Sequence, residues 1–176
     1  LGITLLYVTH DQEEAMIMSD KICLLNNAKI EQIGTPADLY FRPRTEFAAS
    51  FLGESNMFAV KVTGTHDDQH VMEMANGTTL RAPKRSEISG GHRVYAMVRP
   101  ESVSLVSAGQ LVENVIEGKL KETIMAGGIT KYYVEVANEQ IIAVTTLTAR
   151  NSHQLSQSSK VRLCWNIEDT VVLPHH

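Results

Sequence analysis

The sequence predicts a mainly β protein: a barrel or sandwich of short strands, preceded by a brief α/β stretch. Three observations carry this. From about residue 56 onward, nine apolar-alternating segments follow one another between turn residues, at the spacing of an all-β fold. Two passages in that region repeat in register. Met72-Glu73-Met74-Ala75-Asn76 parallels Val134-Glu135-Val136-Ala137-Asn138 at a shift of 62, and Arg93-Val94 with Arg99-Pro100-Glu101 parallels Lys160-Val161 with Asn166-Ile167-Glu168 at a shift of 67. Finally, residues 1–53 carry helix caps that the rest of the chain lacks.

The first element is Thr4-Leu5-Leu6-Tyr7-Val8, a run whose composition reads as an interior parallel strand. It would end on His10, at the rim where open α/β sheets bind ligands. Asp11 with Glu14 three residues on predicts a capped helix immediately afterwards. Lys21–Leu25 and Lys29–Ile33 flank an Asn-rich turn, and Asn tolerates the positive φ that a tight hairpin requires. Thr35-Pro36-Ala37-Asp38 opens a second helix, with a hydroxyl cap and a first-turn proline, and Pro43 closes it. Thr45 caps a third helix through Phe47, Phe51 and Leu52, ending at Gly53.

The β region is expected to run as Phe58–Thr63, His70–Ala75, Thr78–Ala82, Arg93–Arg99, Val103–Val106, Val115–Thr123, Thr130–Val136, Gln140–Thr146 and Lys160–Leu173. Asn76-Gly77 marks the tightest hairpin. The shift difference of five fits extra residues in the Ser-rich loop Asn151–Ser159.

Composition narrows the function classes. The 176 residues are 43% hydrophobic, enough for a true core, yet no apolar run approaches the ~20 residues of a membrane helix. No basic leader precedes an apolar core, so no export signal is expected. The formal charge of −4 argues against a nucleic-acid partner, which needs a basic face. Cys23 and Cys164 lie in apolar runs and read as buried free thiols in a reducing cytoplasm.

Val8-Thr9-His10-Asp11-Gln12-Glu13-Glu14-Ala15, continued by Met18–Ile22 and Gln32-Ile33-Gly34-Thr35-Pro36, resembles the histidine switch region of ATP-binding-cassette (ABC) transporter ATPases, the solute importers in particular. Gly53–Asn56, Val98–Ser102, Gly118–Leu120, Lys131–Tyr133 and Trp165–Asp169 resemble the transport-associated OB (TOBE) domain that follows the ATPase domain in importers of polyamines, ferric iron or sugars. The two departures are Ala28, where the ABC family usually has glycine, and Ile167, where the TOBE family often has proline.

The resemblance implies residues 1–55 as the end of a nucleotide-binding domain and 56–176 as an OB-like TOBE regulatory domain. It implies one catalytic and ATP-contacting residue, His10, acting on the γ-phosphate in the intact subunit. ATP and Mg2+ would serve that subunit, with none expected for the chain alone. The implied partners are a second copy of the subunit, membrane permease subunits and a solute-binding protein, on the cytoplasmic face of a bacterial membrane. No phosphate loop of the Gly-x-x-x-x-Gly-Lys-[Ser/Thr] type occurs, so the chain itself is not expected to hydrolyse ATP.

Other residues invite chemistry and are set aside on physical grounds. Ile88-Ser89-Gly90-Gly91-His92 looks like the ABC signature sequence but runs into a strand, so it reads as a turn. His66, Asp67, Asp68 and His70 look like a metal cluster but are expected in a solvated turn, without tight ligand spacing. Arg99 and Glu101 are expected to orient a corner, and Trp165 to sit in the core. The alternative reading is a free-standing OB-fold module for oligosaccharide, oxyanion or single-stranded nucleic acid. With 6% aromatic residues and a negative charge it lacks the stacking platforms and basic groove such binders use.

Overall fold

The computed structural model describes residues 2–106, 113–148 and 156–175. The chain divides into two compact units, Leu1–Gly53 and Glu54–His176.

The first unit opens with a correction. Residues 4–8 form no strand; Leu5, Leu6 and Val8 are 84%, 89% and 87% exposed. An interior strand exists only when neighbours take its backbone groups and cover both apolar faces. The described residues supply neither, so strand composition alone does not produce one.

Helix α1, Gln12–Met18, begins where expected. Asp11 caps it by accepting from the Glu13 and Glu14 amides at 2.8 and 3.1 Å. Glu14 does not reach back to the cap amide; its carboxylate instead accepts from Tyr7 and Thr9.

Strands β1 (Ile22–Asn26) and β2 (Lys29–Gly34) form the expected antiparallel hairpin, with a bulge at Leu24/Leu25. Asn27 and Ala28 turn it with φ of 49° and 61°. Helix α2, Pro36–Phe41, has a full capping box between Thr35 and Asp38, and α3, Glu46–Phe51, is capped by Thr45. Gln32 is buried and holds the turn between these helices, donating to the Arg42 carbonyl and accepting from the Arg44 amide. Leu24, Leu39, Ala48 and Leu52 form the small core. Cys23 is exposed, against expectation, because strand alternation that buries Leu24 turns its neighbour outward.

The second unit is two five-stranded antiparallel sheets. The strands are β3 (Asn56–His66), β4 (Gln69–Met74), β5 (Thr79–Pro83), β6 (Arg93–Val98), β7 (Ser104–Val106), β8 (Asn114–Ala126), β9 (Ile129–Glu135), β10 (Ile141–Leu147), β11 (Lys160–Trp165) and β12 (Val171–Pro174). One sheet runs β5-β4-β3-β6-β12 and the other β10-β9-β8-β11-β7. The repeat seen in the sequence is thus a repeat of structure. Strands β3 to β6 correspond to β8 to β11, and each half donates its fifth strand to the sheet of the other half.

The exchange happens at two corners. Pro100–Ser102 and Ile167–Asp169 each form a single 3-10 turn, which divides the expected Lys160–Leu173 strand into β11 and β12. The two inner faces share one core, in which Phe58 of β3 stacks on Trp165 of β11 with ring centroids 5.5 Å apart. Cys164 is buried as expected, and desolvation pushes its thiol above the ordinary range. Residues 151–155 of the Ser-rich loop and His176 lie outside the described residues.

Candidate functional site

His10 sits on the loop that leads into α1, with its side chain exposed. It is not at the rim of a sheet, because the strand expected before it does not form. The loop around it is nevertheless held. The Thr9 hydroxyl accepts from the Asp11 amide at 3.0 Å and donates to Glu14 at 2.9 Å; the Tyr7 hydroxyl donates to the same Glu14 oxygen at 2.9 Å. Glu14's hydrogen bond and charge raise the Tyr7 hydroxyl above its ordinary range. Thr9 and Asp11 are therefore fixed by neighbours, and the imidazole between them projects into solvent. Such a group can meet a phosphate oxygen without first breaking a bond within the chain.

The His66, Asp67, Asp68 and His70 set is not a site. Among the described residues no group of three or more His, Cys, Asp or Glu side chains is placed to hold a metal. His66 pairs with Asp67 at 2.8 Å, exposed, while Asp67 and Asp68 make the β3–β4 turn at φ 49° and 59°. His70 corrects the expectation of a solvated turn. It is fully buried, and its Nε2 accepts the Arg85 amide at 3.0 Å. The sequence carried the signal: His70, Met72 and Met74 alternate and share the inner face of β4.

Gly90 and Gly91 form the expected turn, Gly91 at φ 92°, and it pairs with β3 through the Gly91 amide and the Val62 carbonyl. Trp165 is in the core, its indole N–H donating to Thr170 at 2.9 Å. Arg99 is buried at its corner and donates to the Glu54 carbonyl and the Ser55 hydroxyl at 3.2 and 2.6 Å; Glu101 is exposed.

Sequence reasoning missed two asparagines. Asn56 exchanges two 2.8 Å hydrogen bonds with the Ala143 backbone of β10, and Asn114 does the same to Arg81 of β5 at 2.7 and 2.9 Å. Each closes its half of the unit onto the other. Their signal was positional, since each stands at the head of the first strand of its repeat.

Residues 96–173 match the family described as the TOBE domain. Nearly the whole chain is similar to spermidine/putrescine import ATP-binding proteins. It is 33% identical to that of Thermotoga maritima over 98% of this chain and 49% of the relative. For Rubrobacter xylanophilus the figures are 31%, 98% and 46%, and for Treponema pallidum 34%, 97% and 46%. The chain spans about half the length of these curated relatives. Among solved structures, the cytoplasmic molybdate-binding protein ModG superposes with a TM-score of 0.61 at 16% identity, over 68% of this chain and 96% of ModG. That likeness is one of fold.

Proposed function

Because residues 96–173 belong to the TOBE domain family and the chain as a whole is similar to importer ATP-binding subunits, we propose that it is the carboxy-terminal portion of the ATPase subunit of an ABC solute importer. The observation that carries this reading is the order of its parts. A histidine loop and its α/β surroundings precede a TOBE domain, and the similarity runs through both in one alignment of 98% of the chain. In this reading residues 1–55 close a nucleotide-binding domain and the β unit regulates it. Named cargo in the relatives favours a polyamine as the solute, selected by other subunits. The working assembly pairs two copies of the subunit and docks on membrane permease subunits from the cytoplasmic side, without nucleic acid. No helix among the described residues is long and apolar enough to cross a membrane.

In the complete subunit, bound Mg-ATP would supply the γ-phosphoryl group, whose charge in the transition state is spread over its three equatorial oxygens. His10 fits the task of holding it: exposed, on a loop fixed by Thr9 and Asp11, it is free to donate to a terminal phosphate oxygen and to orient a water. Residues 1–53 offer no phosphate loop, so this chain alone positions no nucleotide. A free oligosaccharide or nucleic-acid module is the weaker reading, because it gives residues 1–53 no role.

The test uses a version of the protein that includes a phosphate loop. His10→Ala should lower steady-state ATP hydrolysis by about 10²–10³ while nucleotide affinity stays nearly unchanged. The 176-residue chain itself should show no micromolar Mg-ATP binding by calorimetry. Turnover near wild type in the variant would remove His10 from the mechanism.

A further inference from the structure

His70 is an unusual core residue, because a buried imidazole has two nitrogens to satisfy and this one is served at only one. Its ring is fully buried on the inner face of β4, and Nδ1 has no hydrogen-bond partner among the described residues. Nε2 faces both backbone groups of Arg85, the amide nitrogen at 3.0 Å and the carbonyl oxygen at 3.2 Å. Its charge state decides between them. A neutral ring with its proton on Nδ1 accepts from the amide, whereas a protonated ring has no lone pair left and can only donate to the carbonyl.

Arg85 is where the segment after β5 is fastened. Its carbonyl accepts from the Ile88 amide at 3.1 Å, and its guanidinium donates to the Val172 carbonyl of β12 at 2.7 Å and to Glu87 at 2.6 and 2.9 Å. Farther along, the Gly91 amide and the His92 carbonyl pair with Val62 of β3. The residues in register with His70, Thr65 of β3 and Ala82 of β5, do not titrate, and Val62, Met72, Leu80 and Ile88 of the shared core are apolar. The charged groups of the flanking turn and segment pair in solvent, Lys84 with Asp68 at 3.8 Å and His66 with Asp67 at 2.8 Å. A charge on the His70 ring would therefore be buried with no carboxylate bonded to it. The fold does not demand a titrating group here. A shift of 62 places Tyr132 at the matching position of β9, equally buried, and a phenol cannot become a cation.

We propose that His70 is a pH-sensitive latch for segment 84–92. While neutral it holds the Arg85 amide, and the segment stays docked on β3 and β12. On protonation it lets that amide go, and the Arg85 turn and its bond to Val172 loosen. Acidification undocks the segment and a return to neutral pH redocks it. The latch lies wholly within the β unit, so it holds or fails independently of the role proposed for His10.

The test is a nitrogen-15 NMR titration of the whole chain from about pH 8 to about pH 5, the span in which an imidazole ordinarily changes charge. At the upper end the ring resonances should show Nδ1 protonated and Nε2 bare. As His70 takes up its proton, the Arg85, Ile88 and Gly91 amides should shift with it. Exchange at those amides, corrected for the intrinsic effect of pH, should rise about two- to tenfold, the worth of one ordinary hydrogen bond, with the β8–β9 ladder unchanged. His70→Gln, which can accept from an amide but cannot titrate, should abolish the response, while His66→Gln and His92→Gln should keep it. A ring that stays neutral until the β unit unfolds would overturn the latch. So would protonation that leaves the Arg85 amide unmoved, or a response that survives in His70→Gln.

Discussion

Asn114 shows how one buried side chain can decide a fold. It is 1% exposed, and its amide fills both the donor and acceptor of Arg81 while also donating to Thr170. Replacing it with alanine leaves a backbone N–H and C=O of β5 without partners at the joint between the two sheets. Each such orphaned group costs about 1–3 kcal/mol, so Asn114→Ala should lower stability by at least that much. Urea unfolding followed by Trp165 fluorescence measures it. A loss of only a few tenths would mean that water takes the amide's place. The same residue explains a limit of reading sequence alone. An asparagine heading a strand looks like turn chemistry, and nothing local reveals that its partner lies 33 residues back. His70 was misread as part of a solvated turn, although its alternation with Met72 and Met74 is a local signal of burial. His10 was legible as a residue type in a motif, whereas its exposure was not, since that depends on strands that must come from elsewhere.

Elements were legible in proportion to how local their causes are. The caps at Asp11, Thr35 and Thr45, and the hairpins at Asn76-Gly77 and at Asn27-Ala28, all follow from residues within one turn of each other. The Glu-centred corners were legible from the repeat, but the exchange of β7 and β12 across them was hidden, because chain proximity favours returning a strand to its own sheet. Ile167 gives one corner its particular form. Where a proline has no N–H to satisfy, isoleucine brings one, and Glu113 accepts it at 2.7 Å. The β1–β2 turn carries an opposite mismatch. Ala28 holds φ 61°, a conformation that costs a residue with a Cβ about 1–2 kcal/mol, and glycine would relieve this at some expense in unfolded-chain entropy. Ala28→Gly should therefore stabilise the hairpin by a few tenths to about 1 kcal/mol, slowing amide exchange across β1–β2 about two- to fivefold. Ala28→Val should accelerate it. Equal rates in all three would show that the turn relaxes to another type in solution.

At the scale of the whole molecule, the two units differ in how much of their apolar surface they cover. The β unit closes on itself: its repeated halves exchange strands and stack Phe58 on Trp165 inside one core. The first unit buries only a few side chains, while Ile3, Leu5, Leu6, Val8, Ile17, Leu25, Ile30 and Ile33 all stand more than half exposed. A surface of that kind is ordinarily covered by protein, and segment 3–8 has both strand composition and unpaired backbone groups. On the function proposed above, the covering surface in a longer protein would be the rest of a nucleotide-binding domain. In the 176-residue chain the available cover is another copy, and pairing through Ile3–Val8 would satisfy backbone and side chains together. Limited proteolysis should accordingly cut within residues 2–53 while a core beginning near Glu54 survives. Light scattering should give a mass above the monomer that falls toward it once the segment is removed or Leu6 and Val8 are changed to lysine. A strictly monomeric chain whose first fifty residues withstand protease as well as the β unit would mean that the first unit covers itself.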